Sequence, residues 1–76
     1  MSTDLSRLKD GETAQVLSIE ADEALHHRLM ALGFRIGNPV TVIRHGRFRG
    51  PLQVRVGMTD VILRRSDAAK IRLAPA

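Results

Sequence analysis

The sequence contains no cysteine, no tryptophan and no tyrosine. Without cysteine there is no disulfide staple, no thiolate metal site and no cysteine nucleophile. Aromatic residues make up 3% of the chain, Phe34 and Phe48 alone. A protein that grips single-stranded nucleic acid stacks bases on aromatic rings, and two rings are a poor platform. No run approaches the ~20 apolar residues that cross a bilayer. The opening Met-Ser-Thr-Asp-Leu lacks a basic-then-apolar signal pattern, so a cytoplasmic protein is expected. There is no internal repeat, no linker and no low-complexity tract. A G-x-x-x-x-G-K-[ST] phosphate loop is also missing. The nearest string, Gly46-Arg47-Phe48-Arg49-Gly50, lacks the Lys-Ser/Thr pair and reads as a hairpin loop. Nothing in the spacing joins Ser18, Ser66 and the histidines into a nucleophilic constellation, so catalysis is not expected.

What remains is 76 residues of 8.4 kDa, enough for one small domain over 1–76. A chain this short buries only about 60% of the surface that its unfolded form exposes. Hydrophobic content is 43% and charged content 26%, an ordinary globular balance. Ten arginines and two lysines stand against eight acids, for a net charge of +4. Seven of the arginines (44, 47, 49, 55, 64, 65 and 72) lie in the second half, whereas Asp10, Glu12, Glu20, Asp22 and Glu23 lie in the first. Such polarisation can create one basic face.

Periodicity supplies the elements. Leu5 and Leu8 are three apart, so one turn of helix or 3₁₀ places both on a core before the Lys9-Asp10-Gly11 turn. Residues 12–21 alternate loosely as a strand. Asp22 is a good N-cap, and Leu25, Leu29 and Leu32 fall within about 60° of one another on a helix. Gly33 follows where a helix ends in the left-handed region. With Gly33 at C′, Phe34 and Leu29 are the C″ and C3 pair of a Schellman motif. Pro39–His45, Leu52–Val56, Val61–Arg64 and the Ile71–Leu73 segment read as strands. Gly57–Asp60 reads as a turn, and Ser66–Ala69 as a helical turn capped by Ser66. Five short strands cannot make a two-sheet sandwich at this length. The expected fold is all-β, a small SH3-like barrel of about five strands with one α-helix inserted after the first strand. An OB-like barrel is the alternative, but its helix falls between the third and fourth strands.

Several fixed points coincide along this frame. They are Leu5-x-x-Leu8-Lys9-Asp10-Gly11, Arg28-Leu29-Met30-Ala31-Leu32-Gly33-Phe34-x-x-Gly37, Gly50-Pro51-Leu52-x-Val54 and Leu63-Arg64-Arg65-x-x-Ala68-Ala69-x-Ile71-x-Leu73. Taken together over about residues 5 to 73, they resemble the FeoA family, small cytosolic accessory proteins of bacterial ferrous iron transport. One departure is Ile36, where the family commonly has Pro. The resemblance implies an SH3-like barrel and a partner, the FeoB ferrous iron permease with its cytosolic GTPase domain. It also implies recruitment to the inner face of the membrane through that permease. The same barrel occurs as the C-terminal domain of iron- and manganese-dependent repressors, whose DNA-binding part this chain lacks.

Candidate functional residues are of three kinds. Met30 on the outer helix face, Phe34, Phe48 between Arg47 and Arg49, and Met58 in a turn are the expected partner-binding set. Phe48 has a second reading, folded back to plug the barrel mouth. Arg47 and Arg49 are also the available arginine fingers for a partner GTPase, or simply solvated loop charges. Glu23, His26 and His27 cluster opposite the leucine stripe, and Glu23 and His27 are i, i+4. One helix face does not complete a divalent-ion site, so they are surface residues unless a second copy adds ligands in a metal-bridged homodimer. No cofactor is expected beyond such an adventitious surface ion. The main functional reading is therefore a non-enzymatic interaction module. A basic nucleic-acid-binding barrel is the alternative on charge, though no nucleic acid partner is expected given the missing aromatic platform. A metal-sensing module is the other alternative, resting on the helix histidines.

Overall fold

A computed structural model of the chain describes residues 3–74. The elements are β1 (Thr3–Asp4), a 3₁₀ turn (Leu5–Arg7), β2 (Thr13–Ile19), α1 (Glu23–Leu32), β3 (Pro39–His45), a tight turn (Arg47–Arg49) that is not helical at Phe48, β4 (Leu52–Val56), β5 (Thr59–Leu63), α2 (Arg65–Ala68) and β6 (Ile71–Leu73). The strands form one antiparallel sheet in the order β1-β6-β2-β3-β4-β5. The molecule measures 29 × 25 × 25 Å, whereas a flat sheet is about 10 Å thick, so the sheet is rolled.

Two bulges do the rolling. β2 pairs with β3 through Thr13, Ala14 and Gln15, then with β6 through Val16, Ser18 and Ile19, and its register shifts at Leu17. β3 shifts register against β4 at Ile43. An extra residue on one strand of a pair bends that strand and raises its twist. The inward residues then meet as one core: Leu5, Leu29, Phe34, Val40, Val42, Leu52, Val54, Ile71 and Leu73 are all essentially inaccessible.

α1 seals one side of this core, and both of its ends are set by local chemistry. The Leu25 N–H donates to Asp22 Oδ1 at 2.8 Å, which satisfies an otherwise orphaned helix donor. Gly33 sits at φ +107; its N–H donates to the Met30 carbonyl and the Phe34 N–H to the Leu29 carbonyl. These are the two bonds of a Schellman motif, with Leu29 and Phe34 buried beside each other as its apolar pair.

The structure departs from the sequence expectation at four places. There are six strands, because Thr3 and Asp4 pair with Leu73 and Arg72. Two residues carry no readable alternation, so only the pairing reveals them. The helix accordingly follows the first long strand, β2. Thr59 and Asp60 belong to β5, leaving a two-residue turn of Gly57 (φ +61) and Met58. α2 begins one residue early, with Arg64 at its cap position and no side-chain cap bond, so Ser66 is not the cap. Finally, Phe34 is at 0% exposure, so it is a core residue and not part of any partner-binding surface. Its role as C″ of the Schellman motif turns the ring inward.

Candidate interaction surface

Three surface features collect the residues of interest. The first is the apex between β3 and β4. Gly46 N–H donates to the Pro51 carbonyl at 2.9 Å, and Gly50 N–H to the Arg47 carbonyl at 3.0 Å. Both glycines are required by space: a Cβ on Gly46 would lie 2.5 Å from the Pro51 oxygen, and one on Gly50 would lie 2.9 Å from the Arg47 oxygen. Between them Phe48 and Arg49 adopt φ of 54° and 60°, consecutive left-handed conformations in residues that rarely take them. Arg65 Nε donates to the Arg49 carbonyl at 3.2 Å and ties the apex to α2. The result is a ring at 99% exposure, flanked by two exposed guanidinium groups. Phe48 does not fold back over the barrel mouth.

The same arginine organises the base of that hairpin. Arg65 Nη1 reaches the Ser6 carbonyl at 3.4 Å, and Arg65 Nη2 donates to His45 Nδ1 at 3.3 Å. His45 therefore carries its proton on Nε2 and donates to the Leu8 carbonyl at 2.6 Å, while its backbone N–H donates to Asp10 Oδ1. The 3₁₀ turn, the end of β3, the apex and α2 are thus joined by one polar cluster.

The second feature is a groove of about 170 Å³ between α1 and the β5–α2 segment. Leu25, Leu29 and Leu32 form one wall and Ile62 and Leu63 the other, with Arg28, Arg64 and Asp67 at the rim. Ile62 is 65% exposed and Leu32 38%. Arg28 Nη2 lies 3.8 Å from Asp67 Oδ2 across the opening, a long contact between an exposed guanidinium and a half-buried carboxylate. β5 ends the strand order, so its outer side has no strand partner among the described residues. The third feature is the β4–β5 turn. Arg55 Nε and Nη2 donate to the two Asp60 oxygens at 2.7 and 3.1 Å. This fork holds the Asp60 carboxyl below the ordinary carboxylate range and raises the Arg55 guanidinium. Met58 projects fully exposed from the turn.

The expected partner-binding residues do not converge. Phe48 and Met58 stand at opposite ends of β4, five strand residues apart, or about 17 Å. Met30 is half-buried, with its sulfur 3.5 Å from Arg35 Nη1. Glu23, His26 and His27 are exposed on α1, and no group of three or more His, Asp or Glu suited to a metal ion occurs among the described residues. The groove residues Leu32, Ile62, Arg28 and Arg64 were not legible as a site. Ile62 did leave a signal, an apolar side chain on the outward phase of a strand whose inward phase is Val61 and Leu63. Leu32 left none, because helical spacing groups it with the buried leucines.

This architecture, a short antiparallel sheet rolled by bulges and closed by one capped helix, defines an SH3-like barrel that offers apolar contact surface. The chain belongs to the FeoA family: the model described as FeoA domain matches residues 3–75. It is 35% identical over 69 residues to a Porphyromonas gingivalis (strain ATCC BAA-308 / W83) protein described as an Fe(2+) transport protein A/Fe(2+) transporter FeoB fusion. That match takes in 91% of this chain and 8% of the fusion protein, so the chain spans a small fraction of that curated relative's length. The zinc-bound crystal structure of Stenotrophomonas maltophilia FeoA, described as a prokaryotic SH3 domain protein, superposes with a TM-score of 0.83 at 34% identity. That match covers 95% of this chain and 89% of the other. A manganese-dependent transcriptional repressor shares the fold, with a TM-score of 0.89 at 22% identity over 99% of this chain and 42% of its own.

Proposed function

We propose that the protein is a non-enzymatic accessory module of ferrous iron uptake that docks on the cytosolic, GTPase-bearing part of a FeoB-type permease. The observation that carries this reading is the Porphyromonas gingivalis relative, in which the FeoA and FeoB functions are described in one fused protein. Fusion raises the effective concentration of two modules that act together, without any new contact. As a separate chain, this protein needs a surface that does the same by affinity.

The α1–β5 groove supports that role best. It has an apolar floor, a charged rim and, beside it, a strand edge with no strand partner among the described residues, which are the parts from which peptide-binding and helix-binding grooves are built. Arg28 and Arg64 favour an acidic partner and speed the encounter. Recruitment to the inner face of the membrane follows from the permease and requires no span of this chain's own, and no helix among the described residues is long and apolar enough to cross a bilayer. Arg47 and Arg49 make no ion pair among the described residues, so both guanidinium groups remain available to a partner.

The test is retention of full-length permease, and of its isolated GTPase-bearing part, on the tagged protein at low and high salt and in each nucleotide state. Wild type is expected to retain the permease through high salt. Leu32→Asp and Ile62→Asp, both at exposed positions, are expected to lose at least tenfold. Equal retention by both variants would remove the groove from the account, and no retention in any nucleotide state would remove the partner.

A further inference from the structure

The hairpin apex carries a feature that protein docking at the groove does not use. Phe48 is 99% exposed, and its exposure is imposed by the backbone. Two consecutive left-handed residues cost conformational energy. Two glycine N–H bonds and the Arg65 bond to the Arg49 carbonyl nevertheless hold that geometry. From Arg44 to Thr59 the chain has four arginines and no acid. Arg55 is paired with Asp60, while Arg44, Arg47 and Arg49 make no ion pair among the described residues. The apex is therefore a preformed convex tip with one apolar ring among free cations.

We infer that this tip is a membrane-contact element: Phe48 seats at the interface of an anionic bilayer while Arg47 and Arg49, with Arg44 behind them, meet lipid phosphates. The shape decides between a bilayer and a protein pocket. Hot spots at protein interfaces sit within a ring of further contacts that exclude water. At 99% exposure Phe48 has no such ring among the described residues; beside it in the chain stand the exposed Arg47 and Arg49, then Gly46, Gly50 and the exposed Pro51. A lipid interface imposes no shape to match. It accepts a single inserted ring, and arginines beside the ring lay their stems along it while their heads reach phosphate. Because the tip is already ordered, insertion loses little conformational entropy. One ring and three cations fall short of a stable anchor, so the contact is reversible. It would orient the barrel on a bilayer with α2 above the tip, and it stands whether or not the permease is the groove's occupant.

The experiment is co-sedimentation of the full chain with sucrose-loaded vesicles. One set mixes phosphatidylglycerol and phosphatidylethanolamine; the other is phosphatidylcholine alone. Partition into the anionic vesicles is expected, with none into phosphatidylcholine. Phe48→Ser should lower the partition coefficient about tenfold, from the loss of one buried aromatic side chain. Arg47→Ala and Arg49→Ala should each lower it about fivefold, the worth of one cation at an anionic surface. Met58→Ser, at the far end of β4, should leave it unchanged. If Phe48→Ser sediments with anionic vesicles as well as wild type does, the attraction is only that of a chain with +4 net charge and the inference fails. It fails equally if duplex DNA retains the protein, at the same salt, and the vesicles do not.

Discussion

Gly33 and Phe34 show how far one residue's conformation governs its neighbour. Gly33 has open space for a Cβ, whose nearest neighbour would be Val56 Cγ1 at 3.8 Å, but φ is +107. Gly33→Ala is therefore expected to destabilise the fold through the backbone alone, by about 1–2 kcal/mol. Urea denaturation would read that loss as a lower midpoint at unchanged slope. Phe34→Ala empties a fully buried ring site and is expected to lose about 3–5 kcal/mol, enough to leave much of so small a chain unfolded. A second residue-scale case is Asp60, whose carboxyl the Arg55 fork holds below its ordinary range. A depressed carboxylate stabilises the fold above its unfolded-state pKa, and that stabilisation fades as pH falls through the folded value. The carboxyl carbon resonance of Asp60 should accordingly titrate at lower pH than that of an unpaired exposed carboxylate. Arg55→Ala should move it back up, and so should high salt, which screens an exposed pair.

At the scale of elements, α1 is the best specified part of the chain, because both of its ends are written in side chains. Asp22→Ala removes the acceptor for the Leu25 N–H and is expected to lose about 1 kcal/mol, a fall in Tm of about 4–8 °C for a domain of this length. Thermal unfolding followed by circular dichroism measures it. The same local logic explains what could be read without coordinates. The Asp22 cap, the Leu25–Leu29 stripe and the Gly33 stop are short-range signals, and each is found in the structure. Pro39–His45 was legible from its β-branched run behind a leading Pro, and Leu52–Val56 from the alternation of Leu52, Val54 and Val56 with polar residues. β1 was not, since a two-residue strand is defined only by its pairing with Leu73 and Arg72 at the other end of the described chain. The bulges at Leu17 and Ile43 were equally silent, although they turn a sheet into a barrel. The left-handed pair at Phe48 and Arg49 could not be foreseen either, because neither residue type favours that conformation.

For the molecule as a whole, function depends on surfaces that tertiary contact creates. The groove joins Leu32 to Ile62, thirty residues apart; Ile62 is an outward apolar residue of its strand, but nothing within α1 marks Leu32 as a binding residue. Conversely, Phe34 looked available and is sealed in the core, while Phe48 and Met58 are exposed but too far apart to form one patch. The barrel thus presents a groove beside β5, whose outer side has no strand partner among the described residues, and a basic tip; the proposals above assign the first to a protein partner and the second to an anionic bilayer. A module with both could sit between a membrane transporter and the lipid around it. Loss of groove contacts should weaken permease binding without changing vesicle partition, and loss of Phe48 should do the reverse. That separation is measurable by running both assays on Ile62→Asp and Phe48→Ser.

The most direct test of the docking account is a titration of the isotope-labelled protein with the soluble GTPase-bearing part of a FeoB-type permease, followed residue by residue by NMR. Saturable shifts are predicted along Leu25–Leu32 and Thr59–Arg64, with resonances around Lys9–Gly11 unmoved. An absence of shifts at saturating partner, or shifts that leave α1 and β5 untouched, would contradict it.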